Sequence, residues 1–214
     1  MNPVTGTACT SVDIGGDANL ELVDKFCYLG DMLSVNGDVD AAVETRIWIG
    51  WNKFRQLVPL LTNKDISLIV RGKLYSSCVR SSMLHGSVTW PIRKENEVAL
   101  QGAEMRMVRW MCGVKLQDRV PSKGLRQRLG LDHIISVPQQ NRLWWYGHVL
   151  WKEDNDWVKK CTEYEVEGAR PRGRPKKTWT EIVEKDCQAR KLNREDATDR
   201  IRWMKQIRDD WWPR

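Results

Sequence analysis

At Asp38 the hydrophobic period of the chain changes from two to between three and four, and no other feature constrains the fold class as firmly. Val43, Ile47, Trp51, Phe54 and Val58 stand four, four, three and four residues apart, which lines one face of an α-helix. Asp38 or Asp40 is placed to cap its start, and Pro59 to stop it. Ile66, Val70, Leu74 and Cys78 predict a second helix from about Asn63. Val98, Met105, Val108 and Cys112 predict a third over about 94–111, ended by Gly113, with Arg106 and Arg109 on its outer side. Shorter helices are expected over 122–129 and 139–151, a charged stretch of low pattern over 152–170, and two closing helices near 178–191 and 194–208. Before Asp38, "SVDI", "LELV" and "FCYLGDML" read as short strands and "SVNG" as a turn. Two or three short strands need something else to pack on. The expected fold is mainly α: a short β-hairpin or sheet fragment, a helical bundle, then C-terminal helices.

The 214 residues are long enough to bury a core, as one domain or two small ones. Nothing approaches eighteen consecutive apolar residues, and the first residues have neither the basic nor the apolar region of a secretory signal. The six Cys are scattered singly, which points to reduced thiols. The expectation is an intracellular protein, in nucleus or cytoplasm, with no membrane partner. The net charge of +7 is unevenly spread: residues 1–45 hold eight acids and one Lys, the remainder 34 Lys plus Arg against 20 acids. A basic body behind an acidic leader points to a polyanionic partner, RNA or DNA. Twelve Trp residues suit both core filling and base stacking.

The most concentrated basic stretch is "GARPRGRPKKTW", residues 168–179, with Arg170, Arg172, Arg174, Lys176 and Lys177 and no acid. Pro171 and Pro175 push Arg170 and Arg174 away from helical backbone, and Gly173 removes side-chain bulk. A thin extended strip with Arg on both sides of a Gly suits a narrow A·T minor groove. Arg172, Gly173, Arg174 and Pro175 resemble the core of an AT-hook. A solvated linker and a nuclear-import signal are the competing readings.

Other constellations are weaker. His85, His133 and His148, with Cys161 and Cys187, are spaced like no zinc knuckle or finger. No phosphate-cradling glycine loop and no supported Ser-His-Asp order occurs. Asp209 and Asp210 in "RDDW" sit at the end of a helical pattern and read as a solvated terminus. Trp48 and Trp51 are expected in the core, Trp144 and Trp145 on two different sides of their helix, and Trp179 and Trp203 as anchors of the closing helices. No cofactor is expected.

Five words occur in order: "FCYLGDMLSVNGDVDAAVETRI", "MLHGSVTW", "RMVRWMCGVKLQDRVPSKGLRQRLG", "RLWWYGHVLW" and "GRPKKTW". Over about residues 20–208 they resemble the C-terminal part of the endonuclease–reverse transcriptase of non-LTR (LINE-like) retrotransposons. The resemblance implies that Tyr28-Leu29-Gly30 closes the palm and that the helices after it form the thumb. Gly147-His148 and the Arg-Gly-Arg-Pro strip would belong to a C-terminal RNA-binding part. It divides the chain into an acidic leader with palm-edge strands (1–37), a helical thumb-like domain (38–151), a charged linker carrying the strip (152–177) and C-terminal helices (178–214). Two departures stand out: Val88 where the family usually has an acid, and Trp144 where it usually has Arg.

The family's Tyr/Phe-x-Asp-Asp centre would lie upstream of Tyr28, and no such motif occurs here. The expectation is therefore a non-catalytic segment that binds template RNA, an RNA–DNA hybrid or a DNA duplex. The candidate contacts are Arg106 and Arg109, Arg126 and Arg128, Arg142, and the strip of Arg170, Arg172, Gly173, Arg174, Pro175, Lys176 and Lys177. A DNA-binding adaptor that uses only the strip, and a degenerate reading frame without function, are the alternatives.

Overall fold

In the computed structural model the described residues are 23–28, 31–34, 39–164 and 178–207. Strands β1 (Lys25–Tyr28) and β2 (Asp31–Ser34) pair antiparallel, Lys25 opposite Ser34 and Tyr28 opposite Asp31. "FCYLGDML" thus supplies both arms of one hairpin instead of a single strand. "SVDI" and most of "LELV" and "SVNG" lie outside the described residues. The hairpin leans on the first helix through β2, while Phe26, Tyr28 and Leu33 stay more than half exposed.

Helix α1 (Asp40–Leu61) runs two residues past Pro59. A proline this near the end removes a single backbone donor, and the Thr62 N–H and hydroxyl both donate to the Val58 carbonyl to close the last turn. Its buried side includes Ala42, Val43, Arg46, Gly50 and Phe54. Trp48, two residues from both Arg46 and Gly50, is turned away and is 64% exposed, contrary to its expected place in the core. Trp51 does pack there, edge-on to Phe54.

Helix α2 (Leu68–Tyr75) is capped by the Ser67 hydroxyl, which accepts from the Val70 N–H. It runs on through a π-turn (Ser76–Arg80) into the short α3 (Ser81–Met83). The inward face is Arg71, Gly72, Tyr75, Val79 and Met83, and Val70 is more than half exposed. The expected apolar stripe is therefore rotated, and the helix starts five residues later than Asn63. Two contacts set the rotation. A Cβ on Gly72 would lie 1.8 Å from the Leu129 carbonyl oxygen, so only a bare backbone permits this approach. Arg80 must also reach its partner inside the core.

Helix α4 (Lys94–Cys112) buries Leu100, Ala103, Glu104, Met107, Val108 and Met111, and leaves Val98 60% exposed where an inward position was expected. It ends at Gly113, as read from the sequence, with φ +64°. Helix α5 (Ser122–Leu129) ends in the same way at Gly130, φ +63°. Helix α6 (Ser136–Leu150) begins three residues before the expected start; Pro138 falls in its first turn, where no backbone donor is needed. The stretch read as low in pattern contains α7 (Trp157–Glu163), started by Asp156 accepting from the Val158 N–H. Helices α8 (Trp179–Ala189) and α9 (Arg200–Ile207) close the described chain, α8 opening on a Thr178–Glu181 capping box.

The main core is built by α1 to α5 around Phe54, Tyr75, Met83, Leu100, Met107 and Leu125. A second cluster joins α6 to the closing helices through Leu143, Leu192, Ala197, Trp203 and Ile207. Trp203 is fully buried, donates to the Leu143 carbonyl at 3.2 Å, and sits where a Cβ on Gly147 would be 2.3 Å away. Trp179 donates to the Val88 carbonyl at 2.7 Å. Both indoles anchor the closing helices, as expected.

Buried arginines tie these elements together. Arg80 donates to Glu104 from Nε at 2.9 Å and Nη2 at 2.5 Å, and Nη2 also reaches the Asp132 carbonyl at 2.6 Å. Burial pushes the Glu104 carboxyl up while Arg80 draws it down. Arg71 donates to the Met111 carbonyl at 2.8 Å, holding α2 to the end of α4. Removing one member of such a pair leaves the other charge uncompensated, at a cost of about 3–5 kcal/mol. Glu104→Ala is expected to lose that much in chemical denaturation, and a loss below about 1 kcal/mol would show that the pair does not hold the core.

Candidate nucleic-acid interface

Between residues 106 and 128 the chain carries Arg106, Arg109, Lys115, Arg119, Lys123, Arg126 and Arg128 against a single acid, Asp118. The fold sets the two helices of this segment side by side along one edge, with Arg126 and Arg128 projecting from different sides of α5. The C-terminal half of α4 packs on α5, and Arg126 reaches Met105 on α4, Nη1 to Sδ 3.8 Å. Arg128 lies close enough to oppose the upward push that burial gives the Cys112 thiol. Arg106, Lys115, Arg119, Lys123 and Arg128 are exposed, Arg109 and Arg126 half-buried. The two helices bury Met107, Val108, Met111, Leu125 and Leu129 inward, so helical geometry turns the cations between them outward.

The charge of this edge is not internally compensated. Asp118 is engaged with its own backbone, accepting from the Lys115 N–H at 2.7 Å. None of the seven cations forms an ion pair among the described residues. Elsewhere some surface cations are paired, Lys152 with Asp156, Lys159 with Asp154, Arg194 with Glu163 and Arg202 with Asp196, while others such as Lys53, Arg55 and Lys73 form no ion pair among the described residues. What sets the edge apart is seven cations against one acid over 23 residues. Part of the edge charge offsets helix dipoles, since Arg109, Arg126 and Arg128 lie in the last turns of α4 and α5. That role consumes no side-chain donors. Arg119 holds a left-handed backbone, φ 49°, as the turn leading to α5.

Trp110 adds an apolar plane to this edge. One side meets Phe54, ring centroids 5.5 Å apart, and the residue is 50% exposed. It lines a shallow recess with Lys64, Arg71 and Gly113. The exposed indole and Lys64 share this recess, a pairing suited to stacking a base while a phosphate is neutralised. Of this group, the sequence pattern marked Arg106, Arg109, Arg126 and Arg128. Lys115, Arg119, Lys123 and Trp110 were missed, though the sign of the charges from 106 to 128 would have found the cations.

Arg142 does not belong to this surface. It is 3% exposed and donates to Asp186 from Nε at 2.9 Å and Nη2 at 2.7 Å, and to the Trp90 carbonyl at 3.2 Å. Its guanidinium locks α6 to α8 and has no face left for a phosphate. Trp144 is 47% exposed, while Trp145 is half-buried and packs against His148. The strip candidates Arg170, Arg172, Gly173, Arg174, Pro175, Lys176 and Lys177 lie outside the described residues, as do Asp209 and Asp210. Among the described residues no group of His, Cys, Asp and Glu is placed to hold a metal ion, and no helix is long and apolar enough to cross a membrane.

Two outcomes follow for single residues. Arg142→Met leaves Asp186 without its partner, so α8 and α9 should become protease-sensitive before the main core does; simultaneous cleavage throughout would refute the lock. His133 is held below its ordinary pKa by burial, then by Arg126 and Arg80. The unfolded chain therefore takes up this proton first, and its contribution to stability is lost as pH falls through about 6.5 toward the lowered value. His133→Gln should flatten that part of the stability profile relative to the wild type.

No family model matches the chain, and no solved structure matches it. Over 204 residues, 88% of this chain and 72% of the other, it is 23% identical to a Caenorhabditis elegans protein described as uncharacterized and transposon-derived. That likeness supports a transposable-element origin for the chain.

Proposed function

We propose that the chain is a non-catalytic, nucleic-acid-binding segment of a LINE-like reverse transcriptase, and that it holds template RNA or the primer duplex along the α4–α5 edge. The observation that carries this reading is the run of seven cations without ion-pair partners among the described residues over 106–128, on the same helix α4 that presents the half-exposed Trp110 and on the turn and helix after it. The five ordered sequence words and the transposon-derived relative support the same reading. The mechanism needs no bond chemistry. Arg and Lys displace counterions from consecutive phosphates, and the indole offers a sequence-tolerant stacking surface. The Arg-Gly-Arg-Pro strip would add a second, separable grip.

Fluorescence anisotropy across a salt series tests this with structured RNA, an RNA–DNA hybrid, and A·T-rich and G·C-rich DNA. Affinity should fall steeply with salt. Reversing two edge charges (Lys123→Glu with Arg128→Glu) should weaken binding at least tenfold and lower the slope of log K against log salt by about 1.5–2. Trp110→Ala should cost about 1–3 kcal/mol on single strands. Binding that ignores the edge changes but vanishes with Arg172→Ala and Arg174→Ala, on A·T duplex alone, would replace this reading with that of a strip-driven DNA binder.

A further inference from the structure

Helices α1 and α3 cross so closely at Gly50 that a Cβ there would lie 2.2 Å from Cγ of Met83. Arg46, one turn earlier on the same side of α1, is carried into this groove and is only 8% exposed. Its Nε is buried without a hydrogen-bond partner, and the residue makes no hydrogen bond or ion pair among the described residues. Arg71, Arg80 and Arg142, buried to a similar degree, each donate to a carbonyl or carboxylate, although the Nε of Arg71 is also without a partner. A guanidinium so placed meets solvent only through its Nη groups and has no compensating acceptor among the described residues, which is unfavourable.

The recess above Arg46 is lined by Ile49, Ser81, Ser82 and His85. No carboxylate lines it, which disfavours a cation or an amine. The Ser81 and Ser82 hydroxyls donate back to the Ser77 and Cys78 carbonyls of the π-turn at 2.5 and 2.7 Å. Each hydroxyl can rotate toward a ligand at the expense of that local bond. His85 stands exposed at the rim, able to offer a ring N–H. A planar fork of donors beneath two hydroxyls and an imidazole matches a tetrahedral oxyanion. We propose that the α1–α3 recess receives a phosphate-type oxyanion, bound by Arg46 at its floor with Ser81, Ser82 and His85 around it. Whether that phosphate comes from a nucleic-acid backbone or from the free ion is separable; only the first source rests on the function proposed above.

Thermal melting of the full chain in millimolar inorganic phosphate, against chloride at matched ionic strength, tests the site without nucleic acid. At about ten times the dissociation constant the midpoint should rise by about 3–6 °C. Arg46→Met should melt higher than the wild type in chloride, being relieved of an unpaired charge, and should lose the phosphate response. Arg46→Lys should keep a reduced response. A wild-type midpoint indifferent to phosphate, or an equal response in Arg46→Met, overturns the proposal. If Arg46→Met does not fold, wild-type amide shifts decide: movement confined to residues near Ser81, Ser82 and His85 supports the site, and none overturns it. In the salt series, a slope lowered by about 0.7–0.9 in Arg46→Met assigns the phosphate to a nucleic-acid backbone. An unchanged slope in Arg46→Met, beside a phosphate response of the wild type that this variant loses, assigns it to the free ion. Nucleic acid that does not bind at all defeats the function proposed above and leaves the melting result standing.

Discussion

The Arg80–Glu104 pair is the constraint from which the helical body follows. Both groups are almost fully withdrawn from solvent, so each is tolerable only while the other is in place. The pair therefore fixes the azimuth of the continuous helix over 68–83 against α4, and Arg80 extends the tie to the carbonyl of Asp132. The π-turn at Ser76–Arg80 is where the helix takes up the turn that this alignment needs. Arg71 and Arg142 repeat the device at the two ends of the body, one joining α2 to α4, the other α6 to α8.

These internal arginines change how the basic character of the chain is to be read. A net charge of +7 suggests a surface function for cations in general. Several of the most strongly held arginines instead serve as cross-braces, and Lys152 and Lys159 are paired with nearby carboxylates. The densest run of unpaired cations among the described residues is the one over 106–128, in α4, α5 and the turn between them. The same helix that supplies Glu104 to the core supplies Arg106 and Arg109 to that edge, so the edge is backed directly by the core. Glycines in left-handed backbone close both helices and keep the connection between them short.

A transposable-element origin agrees with a hairpin that has little of its own to pack on and a body that is almost wholly helical. It sets no chemistry by itself. The physical case for nucleic acid rests on uncompensated charge beside an exposed indole, and the case for a discrete phosphate position rests on a buried Arg46 that nothing in the protein satisfies.

The sequence by itself determined the fold class, the order of the helices apart from α7, and the stop at Gly113. Those depend on local rules, periodicity and backbone conformation, that act within a few residues. It also marked Arg106, Arg109, Arg126 and Arg128, because sign and spacing are visible along a line. Only the tertiary structure decided which face of each helix turned inward. Val70 and Val98 were displaced outward because a charged pair and a bare glycine approach took the interior positions, and no periodicity encodes a partner fifty residues away. For the same reason Arg142, indistinguishable in sequence from a surface cation, proved to be a lock on Asp186. Arg46, which no sequence pattern singled out, is a buried charge without a counterpart among the described residues, since burial and the absence of a partner are properties of packing and not of order along the chain.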